Sequence, residues 1–596
     1  MFGCSPEKKT PIVYTEKQIE ESSKKLNDWF EVEFQKEVAD SPMTQTYLGV
    51  KTEDYGKWDD ISPKKKARDL ERAKIALQYL NDSVDAKALN KATELSYRIL
   101  KSDLENEIAD FKYQFHNYPV NQMFGRHSRT PAFLINMHSV ENKKEAEDYI
   151  SRLNGIKPMF DQLVKNLQIR EEKGIVPPKF VFPKAIDDSK NILKGLPFEK
   201  KEKKSTLLAD FDKKVSKLEI SDKEKETLIN DAKSALLSSV KPAYENLIAF
   251  LTEQEKRAAT DDGVWKFPNG KDFFNNALKR TTTTDLTSDQ IYELGLKEVA
   301  RIHEEMRGIM KKVKFEGTLQ DFFKFMKEDP QFYYPNTDEG KAEYLAGAVA
   351  LIDTMRTKLD ALFITKPKAK IVVKAVEPFR EKSAGKAFYQ RGTPDGKRPG
   401  KYYANLYDMK TMPKYQMEAL AYHEGIPGHH MQISIAQELK DIPKFRKFGG
   451  YTAYVEGWGL YNEFVPKEIG MYQDPYSDFG RLAMELWRAC RLVVDTGIHE
   501  KKWTREDGIK YYVENTPDPE EDAIRMVERH IVMPSQATAY KIGMLKILEL
   551  REGAKEKLGD KFDIREFHDV VLTNGAIPLD VLEELVNDWI SSKHSI

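Results

Sequence analysis

Histidine is scarce in this chain, 11 among 596 residues, yet His423, His429 and His430 share the stretch Ala421-Tyr422-His423-Glu424-Gly425-Ile426-Pro427-Gly428-His429-His430-Met431-Gln432. Imidazoles gathered in one place can hold a transition metal. A Glu directly after the first His can act as the general base beside it, as in H-E-x-x-H helices, where residues four apart share a face. Here Pro427 stands where that pattern has its second His. On an unbroken helix His423 and His429 would point roughly 240° apart, while His423 and His430 would share a face about 10.5 Å apart along the axis. Neither pair converges on one tetrahedral ion. Proline removes a helix hydrogen bond and glycine permits unusual dihedrals, so a bulge at Pro427-Gly428 that loops out two residues would give His429 the second-ligand place.

A catalytic zinc commonly takes three protein ligands and keeps a fourth position for water. Downstream, Tyr454-Val455-Glu456-Gly457-Trp458-Gly459-Leu460-Tyr461 offers Glu456, a carboxylate in apolar and aromatic company. Alone it could equally pair with an arginine or cap backbone; beside the histidine cluster, ligation is the better reading. The only cysteines, Cys4 and Cys490, exclude a disulfide framework and a Cys-based site. Any metal must be held by His and carboxylate.

The motif His423-Glu424-x-x-Pro427-Gly428-His429-His430 followed by Glu456-Gly457-Trp458 resembles the bacterial family catalogued as domain of unknown function 885 (DUF885), which is grouped with gluzincin-type zinc metallopeptidases. Further landmarks are Tyr118-Pro119-Val120-Asn121-Gln122, Gly263-Val264-Trp265, Thr282 to Thr287, Asp495-Thr496-Gly497-Ile498-His499 and Pro534 to Gly543. The resemblance spans nearly the whole chain from about residue 20. It implies a largely helical zinc peptidase holding one zinc ion per chain, with His423, His429 and Glu456 as ligands and Glu424 as base. The inserted Pro-Gly departs from ordinary gluzincins and leaves His429 and His430 as rivals for one position. The other imidazole would support a ligand or touch substrate.

Arg488, Arg491, Asp495 and His499 recur at spacings of three and four, which places them on one helix face. The plain reading is a solvated, salt-bridged face. The sharper one gives His499 the tetrahedral oxyanion and lets Arg488 or Arg491 grip a substrate carboxylate by paired hydrogen bonds. Tyr540 is the other oxyanion candidate, unless it is simply an aromatic packed in the core.

These side chains must be positioned by a mainly α fold. Helical periodicity opens the chain and dominates it, with Thr287 as an N-cap and Gln290 three residues on. The prolines of Pro177 to Pro183 read as forbidding helix, and Lys370 to Leu406 as a small strand and hairpin region. The expectation is a large helical zinc-metallopeptidase-like body with a deep cleft and a small β element. It comprises a flexible segment 1–19, an N-terminal helical portion 20–260 and a catalytic metal-binding portion 261–596, the last two forming one continuous body. The deep cleft and the preference for short peptides follow from resemblance to helical oligopeptidases.

Composition narrows the partners. Lys+Arg is 95 against Asp+Glu 96, a formal net charge of -1, so no global field recruits nucleic acid. No apolar run is long enough for a transmembrane span. Met1-Phe2-Gly3-Cys4 resembles the end of a lipoprotein signal without its apolar stretch. Either the sequence begins late and Cys4 carries a lipid anchor, or Cys4 is an ordinary exposed cysteine. The expected location is the bacterial cell envelope, periplasm or surface, with the cytoplasm as alternative. The expected function is zinc-dependent hydrolysis of peptide bonds in short peptides, with metal-activated water and Glu424 as general base. The alternatives are a metallohydrolase of a non-peptide amide, or a non-enzymatic surface-anchored protein that binds metal or peptide. A purely structural site would have no use for a carboxylate beside His423.

Overall fold

The computed structural model describes residues 13–376, 381, 385–392, 399–440 and 442–594. Cys4 and the Pro394-Asp395-Gly396 turn lie outside them. Thr287 opens helix α1 (Ser288–Lys312): its hydroxyl accepts from the Gln290 amide at 3.2 Å, and the Gln290 side chain accepts from the Thr287 amide at 2.9 Å. This reciprocal cap satisfies two amides that have no partner within the helix. The proline-rich stretch differs from expectation, because a helix already runs over Val181–Ile192. Pro183 sits in its first turn, where the amide it lacks would have had no intrahelical acceptor.

The β element is one sheet of three short strands, β1 (Ile371–Ala375), β2 (Ala387–Gln390) and β3 (Gly400–Ala404), in the order β1-β3-β2. β1 runs parallel to β3 with Val373 opposite Tyr402, and β2 runs antiparallel to it with Tyr389 opposite Tyr402. The fold is therefore mainly α with a small β element.

Six further helices frame the candidate site: α2 (Lys414–Glu424), α3 (His429–Glu438), α4 (Thr452–Phe464), α5 (Pro475–His499), α6 (Glu520–Val532) and α7 (Ala539–Leu558). α5 is the axle, touched by α1, α2, α4, α6 and α7. From Asp478 to His499 every residue but Arg488 is buried. This excludes the solvated salt-bridged face as an account of its charges. Buried charge instead ties neighbours together: Lys541 of α7, fully buried, places Nζ 2.6 Å from Glu485 of α5 and 2.9 Å from Glu298 of α1.

α4 and α7 approach backbone to backbone. A Cβ added at Gly457 would lie 2.5 Å from the Gly543 Cα, and one at Gly543 would lie 1.9 Å from the Ala453 carbonyl oxygen. That approach sets Glu456 and Tyr540 on adjoining helices. One large core runs through α1 to the C-terminal helices, a second lies within residues 120–251, and a smaller one packs the first helices. Among the described residues no helix is long and apolar enough to cross a membrane.

Candidate metal centre

The Pro-Gly insertion does more than bulge one helix. α2 stops at Glu424, a turn follows through a cis Ile426-Pro427 peptide, and α3 begins afresh at His429. The Gly428 amide donates back to the Tyr422 carbonyl at 2.9 Å, and the Trp458 indole of α4 donates to the Pro427 carbonyl at 3.0 Å. A side chain at 428 would collide with the His423 carbonyl, its Cβ only 2.0 Å away. The turn thus needs glycine there and is pinned by the Trp of Glu-Gly-Trp.

Across this turn the His423 and His429 rings meet nearly edge to face, centroids 4.6 Å apart at 84°. Glu456 reaches in from α4, its Oε2 3.9 Å from His423 Nε2 and 3.4 Å from His429 Nε2. One ligand atom from each of the three lies within 4.8 Å of the others. Ligands about 2.0–2.1 Å from a tetrahedral zinc stand about 3.4 Å apart, so the donor set fits such an ion with small side-chain movement. Gly459 makes the room, since a Cβ there would lie 2.7 Å from the His423 ring.

Electrostatics agree with the geometry. Burial opposes charge on Glu456, yet the hydrogen bond and charge of His429, with His423 and Arg529 behind, bring its carboxyl down to about 2. Burial likewise disfavours the His429 imidazolium, but contact with Glu456 raises it above the ordinary histidine value. His423 is pushed well below that value, first by burial and then by positive His429 and Arg488. A neutral imidazole is the ligand form.

Glu424 ends α2 next to His423, buried, and its Oε2 finds no hydrogen-bond partner among the described residues. Burial lifts its carboxyl to about 7, with the positive charge of His429 opposing. A carboxylate poised near neutrality suits proton transfer in both directions.

Glu463 went unnoticed in the sequence, although it lies seven residues, two helical turns, beyond Glu456 on the same face of α4. His423 Nδ1 donates to its Oε1 at 2.7 Å, which leaves Nε2 as the nitrogen turned toward Glu456. Arg488 Nη2 stands 3.5 Å from the same oxygen. Such carboxylate–imidazole pairs orient a ligand and raise its basicity, and losing one typically costs ten- to a hundredfold in metal affinity. Glu463→Gln, which keeps shape and an acceptor, is expected to weaken zinc about tenfold in a chelator competition with an unchanged circular dichroism spectrum. Unchanged affinity would remove Glu463 from the site.

Two more expected residues join this flank. Arg491 lies with its guanidinium carbon 4.5 Å from the Tyr540 ring centroid, and that of Arg488 lies 5.9 Å from it. Arg488 also donates to the Met484 carbonyl at 3.1 Å. Arg529 of α6, also missed in the sequence, is held through Nη2 by Gln536 at 2.7 Å.

Two expectations are corrected. His499 lies eleven residues beyond Arg488, about 16 Å along α5. Its Nδ1 accepts from the Val264 amide at 3.2 Å and its Nε2 donates to the His530 carbonyl at 2.9 Å. It is fully buried, held near 4 by that burial, and fastens the helix end to the Gly263-Val264 loop, with no nitrogen left for an oxyanion. His430 turns to the sheet, where Nε2 donates to the Ala369 carbonyl at 3.1 Å and Nδ1 accepts from the Tyr389 hydroxyl at 3.0 Å. Its ring anchors β2 rather than a ligand or substrate, and His429 is the histidine that converges with His423.

The sequence profile of the DUF885 family, described as a bacterial protein of unknown function, matches residues 42–586. The crystal structure of a candidate lipoprotein from Colwellia psychrerythraea matches with a TM-score of 0.88 and 31% identity, covering 96% of this chain and 99% of that one. A candidate lipoprotein of unknown function from Shewanella oneidensis shares the fold with a TM-score of 0.72 and 19% identity over 95% of this chain and 99% of its own. No curated protein matches the sequence.

Proposed function

We propose that this chain, which belongs to the DUF885 family of bacterial proteins, hydrolyses peptide bonds in short peptides with one zinc ion held by His423, His429 and Glu456. The observation that carries this reading is a base in waiting: Glu424, buried with a carboxylate oxygen unpartnered, is the neighbour of a ligand in a converged donor set. A structural metal site gains nothing from such a carboxylate, whereas hydrolysis needs one.

Zinc, when bound, supplies a Lewis acid that acidifies water and polarises a carbonyl. Glu424 takes the proton of the attacking water and hands it to the leaving amine. Tyr540, its ring laid against Arg491, directs its hydroxyl to the negative charge that develops on the carbonyl oxygen. Glu463 holds the His423 ring in orientation through Nδ1. The Glu456 side chain is 22% exposed, so water reaches the donor set from that side.

A cell-envelope location is part of the proposal, supported by the description of both solved relatives as candidate lipoproteins. A lipid on Cys4 would supply the tether.

The test is mass spectrometry of a mixed short-peptide pool incubated with zinc-loaded protein and with chelator-treated protein. Zinc-dependent cleavage is expected. Intact peptides beside hydrolysis in a panel of non-peptide amides would move the assignment to an amidase, and inertness toward both panels would move it to a binding protein.

A further inference from the structure

Among the described residues six arginines are buried: Arg152, Arg170, Arg446, Arg481, Arg491 and Arg551. Five are satisfied. Arg481 and Arg551 face carboxylates, at Asp478 and Glu468, and Arg152, Arg170 and Arg446 donate to carbonyls and side chains. Arg491 is the exception. It is 5% exposed, and among the described residues its Nε and Nη1 have no hydrogen-bond partner and no carboxylate forms an ion pair with it. The ionisable groups that weigh most on it are Tyr540, Arg488, Arg529 and Tyr512, none of them a carboxylate. Burial pushes its guanidinium down to about 10. A buried cation without counter-charge or acceptors is costly, and two further guanidinium groups beside it add to the cost. Such a place is stable when the ligand brings the anion.

Position narrows the anion. Arg491 is one turn along α5 from Arg488, whose Nη2 stands 3.5 Å from Glu463, which in turn binds His423 at 2.7 Å. The charge of Arg491 is felt at both His423 and Glu463, so the unpaired guanidinium lies on the flank of the candidate metal centre, where the end of a bound peptide can meet it. The Tyr540 ring at 4.5 Å holds the guanidinium as a rigid planar fork, the shape that pairs with a carboxylate through two hydrogen bonds. A main-chain terminus arrives at a fixed distance from the scissile bond whatever the sequence, whereas an acidic side chain does not.

Resting on the proposed peptidase reading, we infer that Arg491, flanked by Arg488 and Arg529, is the subsite for the free C-terminal carboxylate of a peptide. The protein then trims peptides from the carboxyl end. Water adds across the last or second-last peptide bond, its hydroxyl to the carbonyl carbon and its proton to the leaving nitrogen, which releases one amino acid or a dipeptide.

The experiment uses one peptide sequence as free acid, as C-terminal amide, as N-acetylated free acid, and as an amide carrying an internal Glu. Zinc-loaded full-length protein and its Arg491→Gln and Arg491→Lys variants are compared by product mass, kcat and KM. Binding of the same peptides to zinc-loaded Glu424→Gln protein is measured by calorimetry. The free acid is expected to be cleaved at least a hundredfold more efficiently than the amide, losing one or two C-terminal residues, with N-acetylation neutral. Arg491→Gln should erase that preference mainly through KM, and Arg491→Lys, which keeps charge and loses the fork, should restore part of it. Equal cleavage of acid and amide, dependence on a free amino terminus, or rescue of the amide by the internal Glu would overturn the inference and leave the peptidase standing. If no peptide is cut, the peptidase reading falls and calorimetry decides the subsite: tighter binding of the free acid than the amide supports it, and equal binding overturns it.

Discussion

Glu424→Gln should abolish most turnover, by about 10²–10⁴-fold, and leave zinc in place. The amide fills the same space and can still donate and accept hydrogen bonds, but it cannot take a proton from water. Because Glu424 is not among the three converged donors, zinc stoichiometry by elemental analysis should match the parent. The pH profile gives a second readout. Burial holds the Glu424 carboxyl at about 7, above the ordinary carboxylate range, and a base works only when deprotonated. The kcat/KM of the parent should therefore rise with pH through an ascending limb at or below about 7, since a bound dication favours the carboxylate. The residual rate of the variant should lack that limb. Retention of full activity would assign the base elsewhere.

The candidate donors and base are legible in the sequence because they cluster locally, and what lies hidden there is tertiary. His423 and Glu424 stand out by residue type and spacing, and Glu456 stands out only once the histidine cluster is beside it. The choice between His429 and His430 could not be made from spacing, because it depends on Trp458 of a distant segment holding the Pro427 carbonyl and on His430 finding its partners in the sheet. Glu463 was within reach, since a second acidic residue two turns after Glu456 on an aromatic helix has little reason to be there without a partner. The charges of α5 misled for a definite reason. A helix carrying Arg481, Glu485, Arg488, Arg491 and Asp495 has the pattern of a solvated surface, and only packing on several sides reveals it as the centre of the molecule. Helical spacing correctly places Arg488 and His499 on one face, but it does not say that the site occupies two turns of that face while His499 lies beyond them.

Glu456→Ala separates metal binding from proton transfer, and its effect should be the larger. The substitution removes one of three donors, the carboxylate of the converged set, leaving two imidazoles, of which His429 loses the contact that favoured its charge. Dialysed variant protein should hold almost no zinc, and peptide cleavage should fall below detection. Stability gives a readout free of catalysis. Zinc at about a hundred times its dissociation constant adds about 2.7 kcal/mol to a protein that binds it only when folded, which raises the melting temperature of the parent and should leave that of the variant unmoved. Metal-free parent adds a pH signature. Glu456 is depressed from the ordinary 4.5 to about 2, so its contribution to stability is complete above about 4.5 and is lost as pH falls toward 2, a loss the variant should not show. Together the two substitutions discriminate between readings that activity alone would merge. A hydrolase loses turnover in both and zinc in one; a protein whose metal is structural loses zinc stability in Glu456→Ala and is indifferent to Glu424→Gln.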